Sequence, residues 1–133
     1  MKTDDTNNAT SMKNEVSWQV ELTVKPGRLD DFRALTHEMV EYTKGEDGVL
    51  VYERFISQDG KVVFVYERYA NSSSAVAHLQ AFGEKFGERF VDMVVRKRFT
   101  VFGRPNDALK EILDQFGAIY LHPLDGFSRI LSK

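Results

Sequence analysis

Alternation of apolar and polar residues near the start of the chain predicts a β-strand over 16–24. The Lys25-Pro26-Gly27 sequence that follows favours a turn. From residue 29 the apolar positions recur every three or four residues, as on one face of an amphipathic helix. These positions are Leu29, Phe32, Leu35, Met39 and Val40. The first two elements are therefore a strand and a helix.

Two β-rich runs flank the dipeptide Asp59-Gly60 and predict a hairpin over 49–57 and 62–69. A type I′ turn, which needs positive φ at both loop residues, places Tyr52 opposite Glu67. One face of this hairpin then carries Leu50, Tyr52, Arg54, Ile56, Val63, Val65, Glu67 and Tyr69. Both faces are largely apolar, so we expect helices to cover one face and a second subunit to cover the other.

The remaining pattern adds helices and strands after the hairpin. Asn71 offers a helix N-cap, and apolar residues at helical spacing continue past Gly83 and Gly87, which are expected to divide the segment into two short helices. The later elements are a strand at 99–102, a helix between Pro105 and Gly117, and a short strand at 118–121. The order βαββαβ is that of the ferredoxin-like α+β folds, here with an added C-terminal helix and short strand.

Length and composition favour one compact domain, because 133 residues with 42% hydrophobic side chains can bury a core. We predict a disordered polar tail over 1–15, a ferredoxin-like domain over 16–103 and an extension over 104–133. The extension is too apolar for a free tail, so it should pack on the domain or on the partner subunit.

Charge and composition also exclude several classes of partner. The formal net charge of -2 gives no sign of nucleic-acid binding, and the basic cluster Arg96-Lys97-Arg98 is interpreted as a solvated strand entry. No apolar run is long enough to span a bilayer, so we predict no membrane partner and a cytoplasmic location. The chain has no cysteine, which excludes disulfides and thiolate metal sites.

Several of these segments resemble the antibiotic biosynthesis monooxygenase domain. The resemblance rests on the strand ending in KPG, the GVLVYER strand, the D-G hairpin and the sequence FVYERYANSSSAVAHLQAF. It covers about residues 16–103, and its most specific part is the series Glu67, Tyr69, the polar group 71–74 and His78. Tyr69 stands where the family commonly has Trp.

The resemblance implies a homodimeric α+β barrel that oxygenates a small aromatic or quinol-like substrate with O2. Such enzymes use no flavin, metal or other cofactor: a base removes a proton, and the resulting anion passes an electron to O2. The same superfamily holds haem-degrading oxygenases, which use an Asn on the first strand, where this chain has Ser17, Gln19 and Glu21. It also holds proteins with no demonstrated reaction, so the alternative function is a non-catalytic small-molecule-binding barrel.

His78 and Glu67 are the candidate catalytic residues, with His78 as the base because imidazole titrates near neutral pH. The candidate substrate-binding residues are Tyr52, Tyr69, Phe82 and Phe86. Each has a structural alternative. His78 can be a hydrogen-bonded core residue, Glu67 can form an ion pair with Arg54 across the hairpin, and the aromatic residues can simply fill the core.

No metal site is predicted. His37 begins the sequence HEMVE, but Glu41 stands where the zinc motif HExxH requires its second histidine. The other histidines, His78 and His122, lie too far apart in sequence to indicate metal-ligand spacing.

Overall fold

The computed structural model describes residues 14–129 of the chain. The described residues therefore exclude residues 1–13 of the predicted polar tail and residues 130–133 of the predicted extension. The strands are β1 (Val16–Val24), β2 (Val49–Ile56), β3 (Val62–Tyr69), β4 (Val94–Gly103) and β5 (Ile119–Leu121). The helices are α1 (Leu29–Thr43), α2 (Ser72–Lys85), α3 (Gly87–Met93) and α4 (Asp107–Asp114).

The strands form one five-stranded sheet in the order β2-β3-β1-β4-β5. β1, β3 and the other long strands pair antiparallel, whereas the short β5 runs parallel to β4. This order and the helix positions confirm the predicted ferredoxin-like α+β fold with an added helix and short strand.

β1 lies at the centre of the sheet because its alternating side chains supply the middle of the core. Every second residue of this strand is buried: Val16, Trp18, Val20, Leu22 and Val24. Helix α1 covers them with Phe32, Leu35 and Met39, which the 3.6-residue period places on one face. Ala75, Met93 and Leu109 of the other three helices belong to the same core cluster, so the described helices lie against one face of the sheet.

Helix α2 begins where the sequence predicts. The Asn71 side chain accepts a hydrogen bond from the Ser74 backbone N–H at 2.9 Å, which satisfies one free donor of the first turn. The helical segment is interrupted at Phe86, whose φ of -129° is not helical, and α3 starts at Gly87. The predicted division into two helices is confirmed.

The hairpin has the predicted register but a different turn. Tyr52 pairs with Glu67, and Gly60 has a φ of 75°. Asp59 does not adopt positive φ, so the expected type I′ turn is wrong. Instead the Gly60 N–H donates to the Ser57 carbonyl, and the Asp59 carboxylate accepts from the Ser57 hydroxyl and the Lys61 N–H. These side-chain bonds stabilise a four-residue loop that keeps the same register.

A bulge at the start of β2 reverses one predicted orientation. The pairing shifts between Val49 and Val51, so Val49 packs on the core and Leu50 is 49% exposed. Strict alternation had predicted that Leu50 shares the face of Tyr52, and this prediction is wrong. A bulge inserts one residue into a strand, which exchanges the faces on one side of it.

The C-terminal segment contacts the domain through α4, which packs on α2, and through β5, which pairs with β4. Leu109 and Leu113 are fully buried, and the Asn106 N–H donates to the Ser72 hydroxyl at 3.0 Å. Farther along, Leu124 and Phe127 are 98% and 77% exposed in the single chain. Assigning 104–133 as a separate extension stays a prediction.

Gly48 provides a test of the contact between β2 and α2. An added Cβ at Gly48 would lie 2.5 Å from the Ser74 Cβ, so Gly48→Ala should lower the free energy of unfolding by about 1–3 kcal/mol. An added Cβ at Gly83 in α2 would have no atom within 4 Å, so Gly83→Ala should raise the free energy of unfolding by about 0.5–1 kcal/mol. Urea unfolding measures both, and Gly48→Ala combined with Ser74→Gly should recover part of the loss. Equal free energies of unfolding for Gly48→Ala and Gly83→Ala would contradict the close packing of Gly48 against Ser74.

Candidate active site

A buried carboxylate forms the centre of the site. Glu67 on β3 is 6% exposed, and both of its oxygens accept hydrogen bonds. Oε1 accepts from Trp18 Nε1 at 2.9 Å and from the Tyr69 hydroxyl at 2.5 Å, while Oε2 accepts from Arg54 Nη2 at 2.6 Å. Three strands thus supply donors to one carboxylate, as a buried charge requires.

The surroundings of Glu67 favour its ionised form. Burial alone raises the pKa of Glu67, but Arg54, His78 and the Tyr69 hydroxyl together hold it below its ordinary value. Burial and the adjacent carboxylate raise the pKa of Tyr69 well above its ordinary value, so Tyr69 stays a proton donor to Glu67. Burial likewise raises the pKa of Tyr52 to about 12.

His78 lies on α2 between two carboxylates. Its Nδ1 is 2.7 Å from Glu46 Oε1, and its Nε2 is 3.9 Å from Glu67 Oε1. Glu46 belongs to the connection between α1 and β2. A carboxylate next to Nδ1 favours a proton on that nitrogen, so it is Nε2 that carries the lone pair whenever the ring is neutral. The ring is 4% exposed and is therefore held in place by its neighbours.

Aromatic rings surround the imidazole. The centroids of Tyr52, Tyr69 and Phe82 lie 5.3, 5.4 and 6.4 Å from that of His78. The Arg54 guanidinium lies 3.6 Å above the Tyr52 ring, a cation–π contact that fixes its orientation toward Glu67.

A cavity of about 360 Å³ lies between the sheet and helices α2 and α3. Its charged and titratable lining residues are Arg54, Glu67, His78, Glu88 and Arg96. Its floor is Trp18, Val20, Leu22 and Val65, and its helical wall includes Leu79, Phe82 and Phe90. This volume and mostly apolar lining are typical of a small-molecule site.

The structure brings the predicted site residues together unevenly. Glu67, His78 and Phe82 line the cavity, while Tyr52 and Tyr69 contact His78 without lining it. Phe86 lies outside the cavity and packs against Tyr42 and Phe82. The aromatic set therefore contains one cavity residue, two residues that support the histidine, and one residue of the helix junction.

Two residues of the site were missed by sequence reasoning. Trp18 could have been found, because an indole N–H on the buried face of a strand needs an acceptor. Glu46 carried no such signal, since its position depends on the path of the α1–β2 connection. A second cavity of about 310 Å³, lined by Phe32, Thr36 and others, reaches Arg54 from the other side but lacks Glu67 and His78.

The sequence profile of the antibiotic biosynthesis monooxygenase family matches residues 16–96. The chain belongs to this family. The match confirms the resemblance found in the sequence, and no curated protein sequence matches the chain.

Several solved structures have a fold similar to that of this monooxygenase family member. MupZ from Pseudomonas fluorescens is 21% identical with a TM-score of 0.78, over 90% of this chain and 99% of MupZ. A putative antibiotic biosynthesis monooxygenase from Bacteroides thetaiotaomicron is 25% identical with a TM-score of 0.59, over 63% and 84% of the two chains. A mutant of SnoaB, a cofactor-independent oxygenase from Streptomyces nogalater, is 12% identical with a TM-score of 0.60, over 70% and 95%. These similarities show the shared fold.

Two further observations limit what this family member contains. Within residues 14–129, no three His, Cys, Asp or Glu side chains are grouped so that they could hold a metal ion. None of the helices described is long and apolar enough to cross a membrane.

The Arg54–Glu67 pair predicts a specific loss of stability in acid. Because the pKa of Glu67 is lower in the folded chain than its ordinary 4.5, its contribution is complete above about pH 4.5 and is lost as the pH falls through the folded value. Glu67→Gln should cost about 3–5 kcal/mol at neutral pH, because Arg54 stays buried and unpaired. Arg54→Met with Glu67→Gln should cost less and weaken the acid dependence. Urea unfolding from about pH 3 to 7 measures this. An unchanged acid dependence in the double variant would contradict it.

Proposed function

We propose that this protein is a monooxygenase that binds a small aromatic or quinol-like molecule in the cavity beside His78 and oxygenates it with O2, without an added cofactor. The supporting observation is His78 itself: Glu46 holds Nδ1 at 2.7 Å, and the ring lines an apolar cavity. The family match and the fold shared with a cofactor-independent oxygenase support the reaction class.

The proton step is assigned to His78 rather than to Glu67. Glu67 already accepts three hydrogen bonds, and its lowered pKa makes it a weak base. His78 Nε2 accepts a proton from a substrate hydroxyl or activated C–H, and the imidazolium so formed lies between two carboxylates, Glu46 and Glu67. Both stabilise the charge that develops as the proton moves.

Oxygen chemistry then takes place on the substrate anion. The anion passes one electron to O2, the two radicals combine, and the peroxide breaks down. One oxygen atom remains in the product and the other leaves as water, which also takes the proton that His78 removed. The substrate supplies all four electrons, two for each oxygen atom, and both hydrogens of the water. Phe82, Phe90 and the apolar floor exclude water from these intermediates.

The aromatic residues have different proposed roles. Phe82 contacts the substrate in the cavity. Tyr52 and Tyr69 do not contact it and instead support binding by packing against His78, and Tyr52 also packs against Arg54. Phe86 supports Phe82 from outside, at a centroid distance of 6.4 Å.

The sheet face opposite the helices supports a proposed homodimer. Phe55 and Phe64 are 58% and 38% exposed there, and no helix of the described chain covers them. A second copy whose sheet faces this one would bury both rings and complete an α+β barrel. We further propose that residues 104–133 pack on the domain or on that partner.

Replacing His78 with Ala should reduce substrate turnover by roughly 10²-fold or more, the scale of a lost general base. His37→Ala is the matched control, because His37 is exposed on α1 and does not line this cavity. Glu46→Gln should reduce turnover less and move the pH profile, since it removes the charge beside Nδ1 but keeps a hydrogen-bond partner. Oxygen uptake with a panel of hydroquinones and polyphenols, on metal-stripped protein, measures all three.

The same assay separates catalysis from binding. If a compound binds tightly but is not consumed above the protein-free rate, the protein is a small-molecule-binding barrel and His78 is a hydrogen-bonded core residue. Equal loss in the His37→Ala and His78→Ala variants would also contradict the proposed base.

Charge on the open sheet face should dissociate the dimer. Phe55→Glu would place an unpaired charge in the interface, so light scattering should show a dimer for the original protein and a monomer for the variant at micromolar concentrations. Ala34→Glu, at an exposed residue of helix α1 on the other face of the sheet, is the control and should leave the mass unchanged. A monomeric original protein would remove the proposal.

A further inference from the structure

Arg96 differs from the other basic groups that line the active-site cavity. Arg54 is paired with Glu67, and His78 contacts Glu46. Among residues 14–129, no carboxylate oxygen lies within 4.0 Å of the Arg96 guanidinium. The cavity therefore has one positive charge that the described chain does not neutralise.

A bulge in β4 directs Arg96 toward the cavity. Glu21 pairs with Arg98 and Leu22 pairs with Arg96, which leaves Lys97 as the extra residue. Arg96 and Phe99 consequently lie on the same face although they are three residues apart, and both line the cavity. One member of the basic cluster is thus a cavity residue rather than only part of a solvated strand entry.

The Arg96 side chain is held at the rim by an aromatic ring. Its guanidinium carbon lies 4.9 Å from the centre of the Phe116 ring, which also lines the cavity. Partial burial lowers the pKa of Arg96 from its ordinary value, but an arginine stays charged at neutral pH. The cation is therefore available to solvent and to a ligand at the same time.

The two charged ends of the cavity are separated by apolar surface. Trp18 pairs with Glu67 and Leu22 pairs with Arg96, so the two ends are four residues apart along β1, or roughly 13 Å. The floor between them is Val20. Glu88 also lines the rim and is exposed, as Arg96 is, but the two side chains form no ion pair within 4.0 Å.

We propose that the substrate is an amphipathic anion, whose apolar or aromatic body fills the middle of the cavity and whose carboxylate is bound by Arg96. This inference rests on the proposed function, which places the substrate in this cavity. It restricts the substrate class to aromatic or quinol-like molecules that carry a carboxylate. The oxygenated end of the molecule then lies beside His78.

Two probes of nearly identical shape test the charge preference. N-phenyl-1-naphthylamine is neutral, and 8-anilinonaphthalene-1-sulfonate adds one negative charge to the same rings. The original protein should bind the anionic probe more tightly, and Arg96→Gln should weaken that binding about fivefold to tenfold, because a charge-assisted hydrogen bond is lost. Binding of the neutral probe should not change. Fluorescence titration at low and high salt measures both affinities.

Control variants distinguish Arg96 from general surface charge. Lys61→Gln removes one positive charge at the exposed hairpin, outside the cavity, and should leave both affinities unchanged. Arg96→Lys keeps the charge and should retain most of the preference for the anion. Equal binding of the two probes, or equal effects of Lys61→Gln and Arg96→Gln, would overturn the role of Arg96 while leaving the cavity intact as a site. Failure of both probes to bind the original protein would overturn the cavity itself as the binding site, and with it the proposed function.

Discussion

Burial of the Glu67 carboxylate is the constraint on which the rest of the site depends. An ionised group at 6% exposure is tolerated only if donors replace the water that it has lost, and here Trp18, Arg54 and Tyr69 provide them. The donors come from three adjacent strands, so the carboxylate couples the register of the sheet to the site. A one-residue slip of β2 would carry Arg54 to the opposite face and leave the charge without its cation.

The same constraint divides the chemistry between two groups. Because Glu67 already accepts three hydrogen bonds, the proposed mechanism uses only its charge and assigns proton transfer to His78. Glu46 then determines which nitrogen carries that lone pair. The proposed base therefore depends on two elements that are distant in sequence. Helix α2 carries the imidazole, and the connection after α1 carries the carboxylate that orients it.

Residue spacing and turn residues predicted the features that depend on neighbouring residues alone. Examples are the helix break near Phe86 and the pairing of Tyr52 with Glu67. These patterns failed at Leu50, because strict alternation assumes a regular strand and a bulge inserts one extra residue. They failed at Asp59 because its side chain bonds its neighbours and makes positive φ unnecessary. Glu46 was missed for a third reason: a loop residue reaches its partner through tertiary packing, which no local spacing encodes.

The proposed dimer and the proposed site share one strand, and this links assembly to chemistry. β2 lies at the edge of the described sheet, so β3 is its one strand neighbour there and its other edge is open. Arg54 on this strand bonds Glu67, while the next residue, Phe55, projects to the open face that a partner would cover. A partner that holds Phe55 restricts the motion of β2 and so holds the guanidinium against the carboxylate. Under this arrangement a monomer would retain every residue of the site and still position Arg54 less firmly than the dimer.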